Sequence, residues 1–237
     1  MNLSYVDPAT NRFVMQVDYM NDAVPLNGNQ SDLGRRSVRI HSNNLYGDGV
    51  YILKASFMPQ GCGTWPAFWS DAPSNWPSGG EIDIIEGVNG EGANIASLHT
   101  AQACHVPNVT QLQQGQQRES NCSYQPGCST RFDNIASYGL GFNGNGGGYF
   151  ALVRDTTVGG HGIGVWFWPM NLNASSIPTE VVAATKQAPT VVNLDDAMQK
   201  WGKPQAFFGS DTGDASNGTN CPMHQIFQNH ELVFDTT

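Results

Sequence analysis

The stretch Gly80-Glu-Ile-Asp-Ile-Ile-Glu-Gly87 sets the strongest condition on how this chain folds. It packs three carboxylates into six residues, in a protein that spreads 20 acidic residues over 237 positions. Ile82, Ile84 and Ile85 give the segment β-strand character, so side chains alternate between faces and Glu81 and Asp83 share one. Glu86 falls on the opposite face of a regular strand. One extra residue, inserted as a β-bulge between Asp83 and Glu86, returns it to the same side. The expectation is a single row of three acids.

Like charges this close repel, and folding alone gives no reason to collect them. Chemistry does. Two carboxyls within roughly 5 to 6 Å cannot ionise together easily, so one holds its proton more tightly and an acid and a base coexist at one pH. A retaining glycosidase uses such a pair, with carboxyl groups roughly 5 to 5.5 Å apart, one as nucleophile and one as acid and then base. Backbone positions this far along a strand lie about 13 Å apart, so the strand has to be concave or the two Glu side chains have to lean together. The competing reading is an edge strand whose acids face water while its isoleucines enter the core.

A length of 237 residues with no visible linker fits one domain, residues 1–237, of the size common among sandwiches and barrels. Charged residues make up 13% of the chain, about half the usual share, while 27 glycines and 13 prolines supply many turns. A net charge of −9 with 11 Lys and Arg argues against nucleic acid and anionic membranes as partners and leaves neutral polymers such as polysaccharides. No apolar run approaches the ~20 residues of a membrane span. Met1-Asn-Leu-Ser4 carries no basic-then-apolar signal peptide, so the chain reads as a mature form, an expressed fragment or a cytosolic protein.

Cys62, Cys104, Cys122, Cys128 and Cys221 do not form a paired C-x-x-C zinc pattern, and three of them fall in one polar segment. Disulfides in a secreted protein are the expected use, with one thiol left over. Sequons at Asn2, Asn29, Asn108, Asn121, Asn173 and Asn217 agree with a secretory route. No metal ligand set and no cofactor motif is read, and a monomer is expected.

Along the chain, strands are expected over Phe13–Tyr19, Ser37–His41, Val50–Phe57, Asn94–Thr100, Tyr149–Arg154, Ile163–Trp168, Gln205–Phe208 and Glu231–Phe234. Asn21–Gly34 reads as loop, and Ala101 to about Ser137 as a long segment tied down by disulfides. The glycine-rich Asn143–Gly148 leads into a strand rather than a helix, so it reads as a turn and not as a phosphate loop. Asn193 to Met198 has the look of a short capped helix. Short strands between turns, with no repeat, indicate an all-β antiparallel sandwich or jelly roll.

Met58-Pro-Gln-Gly-Cys-Gly-Thr-Trp-Pro-Ala-Phe-Trp69, Trp76-Pro-Ser-Gly-Gly-Glu-Ile-Asp-Ile-Ile-Glu-Gly-Val-Asn89 and Ser97-Leu-His-Thr100 resemble glycoside hydrolase family 16, and within it the fungal laminarinase-like endo-β-1,3(4)-glucanases. Weaker similarity runs from about Tyr5 to Phe208. The resemblance implies a concanavalin-like β-jelly-roll sandwich of two antiparallel sheets with a concave cleft for β-glucan, and retention of anomeric configuration. It makes Glu81 the nucleophile, Glu86 the acid/base and Asp83 the residue that tunes the nucleophile. It also places Trp69, Trp76, Arg39 and His99 at the substrate. An indole offers a flat apolar face to a sugar ring and leaves its N–H for a hydroxyl. For Trp65, Trp166 and Trp168 a cleft and a core position stay equally open, and Arg39 taken alone reads as half of a surface ion pair.

Against the family pattern the chain is expected to be shortened at both ends, leaving sheet edges unpaired and a thiol such as Cys221 without its partner. Arg36 replaces a small polar residue and is expected to alter a subsite. Two alternatives share these motifs: a glucan-binding module that has lost catalysis, and a transglycosylase with the same site.

Overall fold

The structure, a computed structural model, describes residues 2–21, 24–26, 29–90, 92–102, 104–108, 110–123, 125–186, 194–209 and 220–236. The strands are β1 (Ser4–Asp7), β2 (Arg12–Met15), β3 (Val24–Leu26), β4 (Asn29–Gly34), β5 (Arg39–His41), β6 (Gly49–Ala55), β7 (Pro66–Asp71), β8 (Glu81–Glu86), β9 (Ile95–His99), β10 (Gln116–Glu119), β11 (Cys128–Arg131), β12 (Gly148–Asp155), β13 (Gly162–Pro169), β14 (Ala206–Gly209) and β15 (Glu231–Thr236). Short helices intervene: α1 (Gly139–Gly144), α2 (Thr179–Ala184), α3 (Leu194–Lys200) and α4 (Met223–Ile226).

Two antiparallel sheets carry the fold. One has seven strands in the order β10-β11-β9-β8-β7-β15-β5, the other four in the order β14-β13-β12-β6; β1-β2 and β3-β4 form separate hairpins. Strand alternation decides what each face buries. On β8 the three isoleucines point inward with Ala96 and Leu98 of β9, and meet Phe150 and Leu152 of β12 and Ile163, Val165 and Phe167 of β13. Ile82 and Ile84 are completely buried, and each contributes roughly 1.5 to 3 kcal/mol on transfer from water. The opposite face of β12 and β13 builds a second core, where Tyr149, Trp166 and Trp168 pack against Val181 of α2, Ala197 of α3 and Trp201. Alternation along Ile163–Trp168 is therefore as read, and Trp166 and Trp168 are core residues.

Several expectations need correction. Asn21–Gly34, read as loop, contains the β3-β4 hairpin. Val24-Pro-Leu26 has no alternating stretch long enough to register as a strand. The first expected strand breaks off at Met15 and pairs with β1. The segment from Ala101 to Ser137 is tied down as expected, but it also supplies β10 and β11, and β11 extends the large sheet beside β9. Their polar sequences, Gln-Gln-Arg-Glu and Cys-Ser-Thr-Arg, give no hydrophobic signal. Asn143–Gly148 does turn into β12, with Gly146 and Gly147 at positive φ, but its first residues end α1. Asn193, the expected helix cap, lies outside the described residues, whereas α3 follows it as read.

The disulfides are Cys104–Cys221 and Cys122–Cys128, and Cys62 is the exposed free thiol. Cys221, expected to lack a partner, has one across 117 residues of sequence. In the chain-entropy account a loop of that length constrains the unfolded state by about 5 kcal/mol, and a six-residue loop by about 2 kcal/mol. The paired change Cys104→Ala/Cys221→Ala is therefore expected to lower unfolding free energy about twice as much as Cys122→Ala/Cys128→Ala. Urea denaturation of the two double variants measures this ordering.

Candidate active site

The acids sit on the face of β8 opposite the core, and the backbone register shows how. Trp69 of β7 pairs with Asp83, Phe68 pairs with Ile85, and Ala67 pairs with Glu86. Ile84 and Ile85 thus together oppose Phe68, which is the extra residue of a bulge. Both isoleucines go into the core, and Glu86 returns to the side of Glu81 and Asp83. A bulge leaves ladder groups without their regular partners, and buried backbone groups need replacements. Asn94 supplies them: its Oδ1 accepts from the Glu86 N–H at 3.0 Å and its Nδ2 donates to the Ile84 carbonyl at 2.8 Å. Asn94 is fully buried, and its own N–H donates to Ser137 Oγ at 2.9 Å. Beyond the strand, the Tyr138 hydroxyl donates to the Gly87 carbonyl at 2.6 Å and also reaches that of Pro66 at 3.0 Å, fixing where Glu86 leaves the sheet.

The other end of β8 is fixed from below. Ser70 Oγ donates to His230 Nδ1 at 3.0 Å, and His230 Nε2 donates to the Gly79 carbonyl at 2.9 Å. Burial lowers the His230 pKa to about 4, so the ring is neutral and keeps both bonds. Gly80 follows with φ +82°, and a Cβ there would meet the Phe227 ring at 2.5 Å, so only glycine turns the chain into Glu81.

A cavity of about 260 Å³ opens over this row, lined by Arg39, Trp65, Ala67, Trp69, Glu81, Asp83, Glu86 and Asp235. Trp65 Nε1 donates to Glu86 Oε1 at 3.0 Å, and Trp76 Nε1 donates to Glu81 Oε2. Both indoles are about half exposed, with broad faces available to a ligand. Asp235 Oδ2 accepts from Trp69 Nε1 at 3.1 Å and from Arg39 at 3.2 Å, and the Arg39 guanidinium lies 5.1 Å from the centre of the Trp69 ring. The surface pair and the cleft position read for Arg39 are thus one arrangement. His99, opposite Glu81 on β9, places Nε2 3.2 Å from Asp83 Oδ2.

Electrostatics separates the three acids. Burial pushes the Asp83 carboxyl well above the usual carboxylate range, with the charges of Glu81 and Glu86 adding and His99 opposing. Glu86 is raised too, first by burial, against the pull of the Trp65 N–H and with the charges of Glu81 and Asp235 adding. Burial works against a charged His99, but Asp83 beside it and the two glutamates outweigh this and raise it. Glu81, Asp83 and His99 each offer a ligand atom within 4.8 Å of the others.

All seven residues singled out from sequence gather here, with Trp76 and His99 joined to the site through Glu81 and Asp83 rather than lining this cavity. Trp65, left open between core and cleft, belongs to the site. Asp235 falls outside the sequence reading, which ends the last strand at Phe234 where β15 runs on to Thr236, and Asn94 does so because nothing in the sequence marks one asparagine as the partner of a bulge. Arg36 lies 4.0 Å from Asp18 and is not a lining residue.

The family model described as XgeA-like, catalytic GH16 domain matches residues 1–237, and the chain belongs to glycoside hydrolase family 16. It is 33% identical over 251 residues to an endo-1,3(4)-β-glucanase of Arthroderma benhamiae, an alignment covering 99% of this chain and 48% of that protein. This chain therefore spans about half the length of that curated relative. Laminarinase 16A of Phanerochaete chrysosporium, solved with two β-glucans (6-O-glucosyl-laminaritriose) in its donor and acceptor sites, superposes with a TM-score of 0.81 at 34% identity, covering 100% of this chain and 70% of that one. An elongating family 16 β-1,3-glucosyltransferase superposes at 0.76 with 29% identity, covering 99% of this chain and 68% of that one. The fold is accordingly the family's β-jelly roll.

Because Asn94 satisfies both backbone groups at the bulge, Asn94→Ala is expected to cost about 2 to 3 kcal/mol. It is also expected to reduce turnover more than substrate affinity, since Glu86 loses its backbone anchor. Chemical denaturation and a kcat-against-KM comparison check the two effects.

Proposed function

We propose that this chain is an endo-acting, retaining glycoside hydrolase of β-1,3 or mixed β-1,3/1,4 glucan, with residues 1–237 as one catalytic domain that works in a secretory or extracellular setting. The observation that carries this reading is the bulged strand, which sets Glu81, Asp83 and Glu86 side by side in a cavity walled by indoles. The two disulfides support the setting.

Glu81 attacks the anomeric carbon as the Glu86 proton passes to the leaving glycosidic oxygen. Glu86, now a carboxylate, then takes a proton from water as that water releases the glycosyl enzyme. The raised pKa of Glu86 serves its first task, because it keeps the proton at a pH where an ordinary glutamate has lost it. Activity then falls as pH rises through that raised value. Asp83 lies between the two glutamates and beside His99, and its proton-holding carboxyl separates theirs. The faces of Trp65, Trp69 and Trp76 stack on glucose rings, and Arg39 reaches sugar hydroxyls from its anchor on Asp235.

A transglycosylase is the second reading, favoured by the likeness to the elongating glucosyltransferase. It shares the glycosyl enzyme and differs in whether water or a sugar hydroxyl accepts. A glucan-binding module has no use for the row of acids.

Incubation with laminarin is expected to release reducing ends from the interior of the polymer with retained configuration. Glu81→Gln is expected to lower kcat on the order of ten-thousand-fold while leaving the fold and laminarin binding in place. Strong residual activity in the purified variant rejects the assignment. Products longer than the substrate at high oligosaccharide concentration select the transglycosylase.

A further inference from the structure

One more carboxyl stands beside the acid row. On β7 Asp71 is the register partner of Glu81 on β8 and, on its other side, of Glu231 on β15. Direct cross-strand neighbours have Cβ atoms about 4.5 to 5.5 Å apart, so Glu231, Asp71 and Glu81 form a second line of acids running across the sheet. The outer two have donors of their own: His41 Nδ1 lies 2.6 Å from Glu231 Oε1, and the Trp76 N–H reaches Glu81. Asp71 is buried, and its Oδ1 has no hydrogen-bond partner among the described residues. A buried carboxylate oxygen without a donor, between two charged neighbours, is costly, and a proton is the cheapest remedy.

We propose that Asp71 is a positioning residue for Glu81: it carries the proton of this line of acids, and so stands beside the nucleophile as a hydrogen-bond donor instead of a repelling charge. The inference rests on the assignment of Glu81 as nucleophile. Burial, then the charges of Glu231 and Glu81, raise Asp71 to about 6, while His41 and Arg39 of β5 pull the other way. These four charged groups lie on the neighbouring strands β8 and β15 and on β5 beyond β15. Below that value Glu81 has a donor at its side. Above it, two adjacent carboxylates push apart and Glu81 swings from its line of attack, where a reacting distance of roughly 3 to 3.5 Å is needed.

The test separates this step from the acid Glu86 by using a leaving group that needs no proton. With 2-deoxy-2-fluoro-β-laminaribiosyl fluoride, a Glu81 oxygen forms a bond to the anomeric carbon, the carbon–fluorine bond breaks and fluoride departs. The adduct accumulates and is counted by intact-protein mass spectrometry. The trapping rate of the unaltered protein is expected to fall roughly tenfold between pH 5 and 7, with an inflection near 6. Asp71→Asn, which keeps a donor at every pH, is expected to lose that inflection and to hold its pH 5 rate up to pH 7. Glu231→Gln, which removes one neighbouring charge, is expected to move the inflection to lower pH. A rate in the unaltered protein that is flat or rises from pH 5 to 7 overturns the inference even if neither variant folds, as does an unchanged inflection in Asp71→Asn. Absence of any adduct on Glu81 instead overturns the hydrolase reading itself.

Discussion

The structure depends on two hydrogen bonds from one amide side chain. A strand that is hydrophobic on one face and acidic on the other cannot place acids at positions 81, 83 and 86 together without a break in its ladder, and a break in a buried ladder leaves polar backbone exposed to hydrocarbon. Asn94 meets both needs, with an acceptor for the Glu86 N–H and a donor for the Ile84 carbonyl. The same bulge that turns Glu86 outward drives Ile84 and Ile85 inward, so core and site are two results of one irregularity.

The acids themselves oppose folding. Their repulsion is relieved unevenly: Asp83 has the His99 ring beside it, Glu86 has the Trp65 N–H, and Asp71 Oδ1 has neither a donor nor open water among the described residues. Burial then raises the groups it encloses most, which separates the carboxyls into those that keep a proton and those that give it up. A site of this kind is held by what lies beneath it, and here that is the packed isoleucine face of β8 against β12 and β13.

Much of this was legible in the sequence. Ile82, Ile84 and Ile85 between the acids announced both the strand and the bulge, because only an inserted residue puts Glu86 with Asp83. Alternation separated Val165 and Phe167 from Trp166 and Trp168, although it could not say which face met a helix and which met a sheet. What stayed hidden was hidden for physical reasons. Strands β10 and β11 are polar and find their place through β9 and a disulfide rather than through hydrophobic pattern. Asp235 matters because strand pairing sets it beside Arg39 and Trp69, and pairing between residues so far apart leaves no local trace. Trp65 and Trp166 are the same residue type, and only their places, one just ahead of β7 and the other inside β13, send the first to the cavity and the second to the core.

The place of β15 also bears on how the molecule is made. It lies between β5 and β7, so β5 reaches the large sheet only through a segment that follows it by about 190 residues. Synthesis delivers Arg39 and Trp69 early and their shared partner Asp235 late. A growing chain therefore leaves the ribosome with its largest sheet split, its inner edges open and its sugar-facing wall incomplete, and the two parts join only when the late strand slides between them. Assembly of the cleft in this sense waits for β15, and a nascent chain stalled before that strand would present sticky edges to its neighbours in place of a working surface.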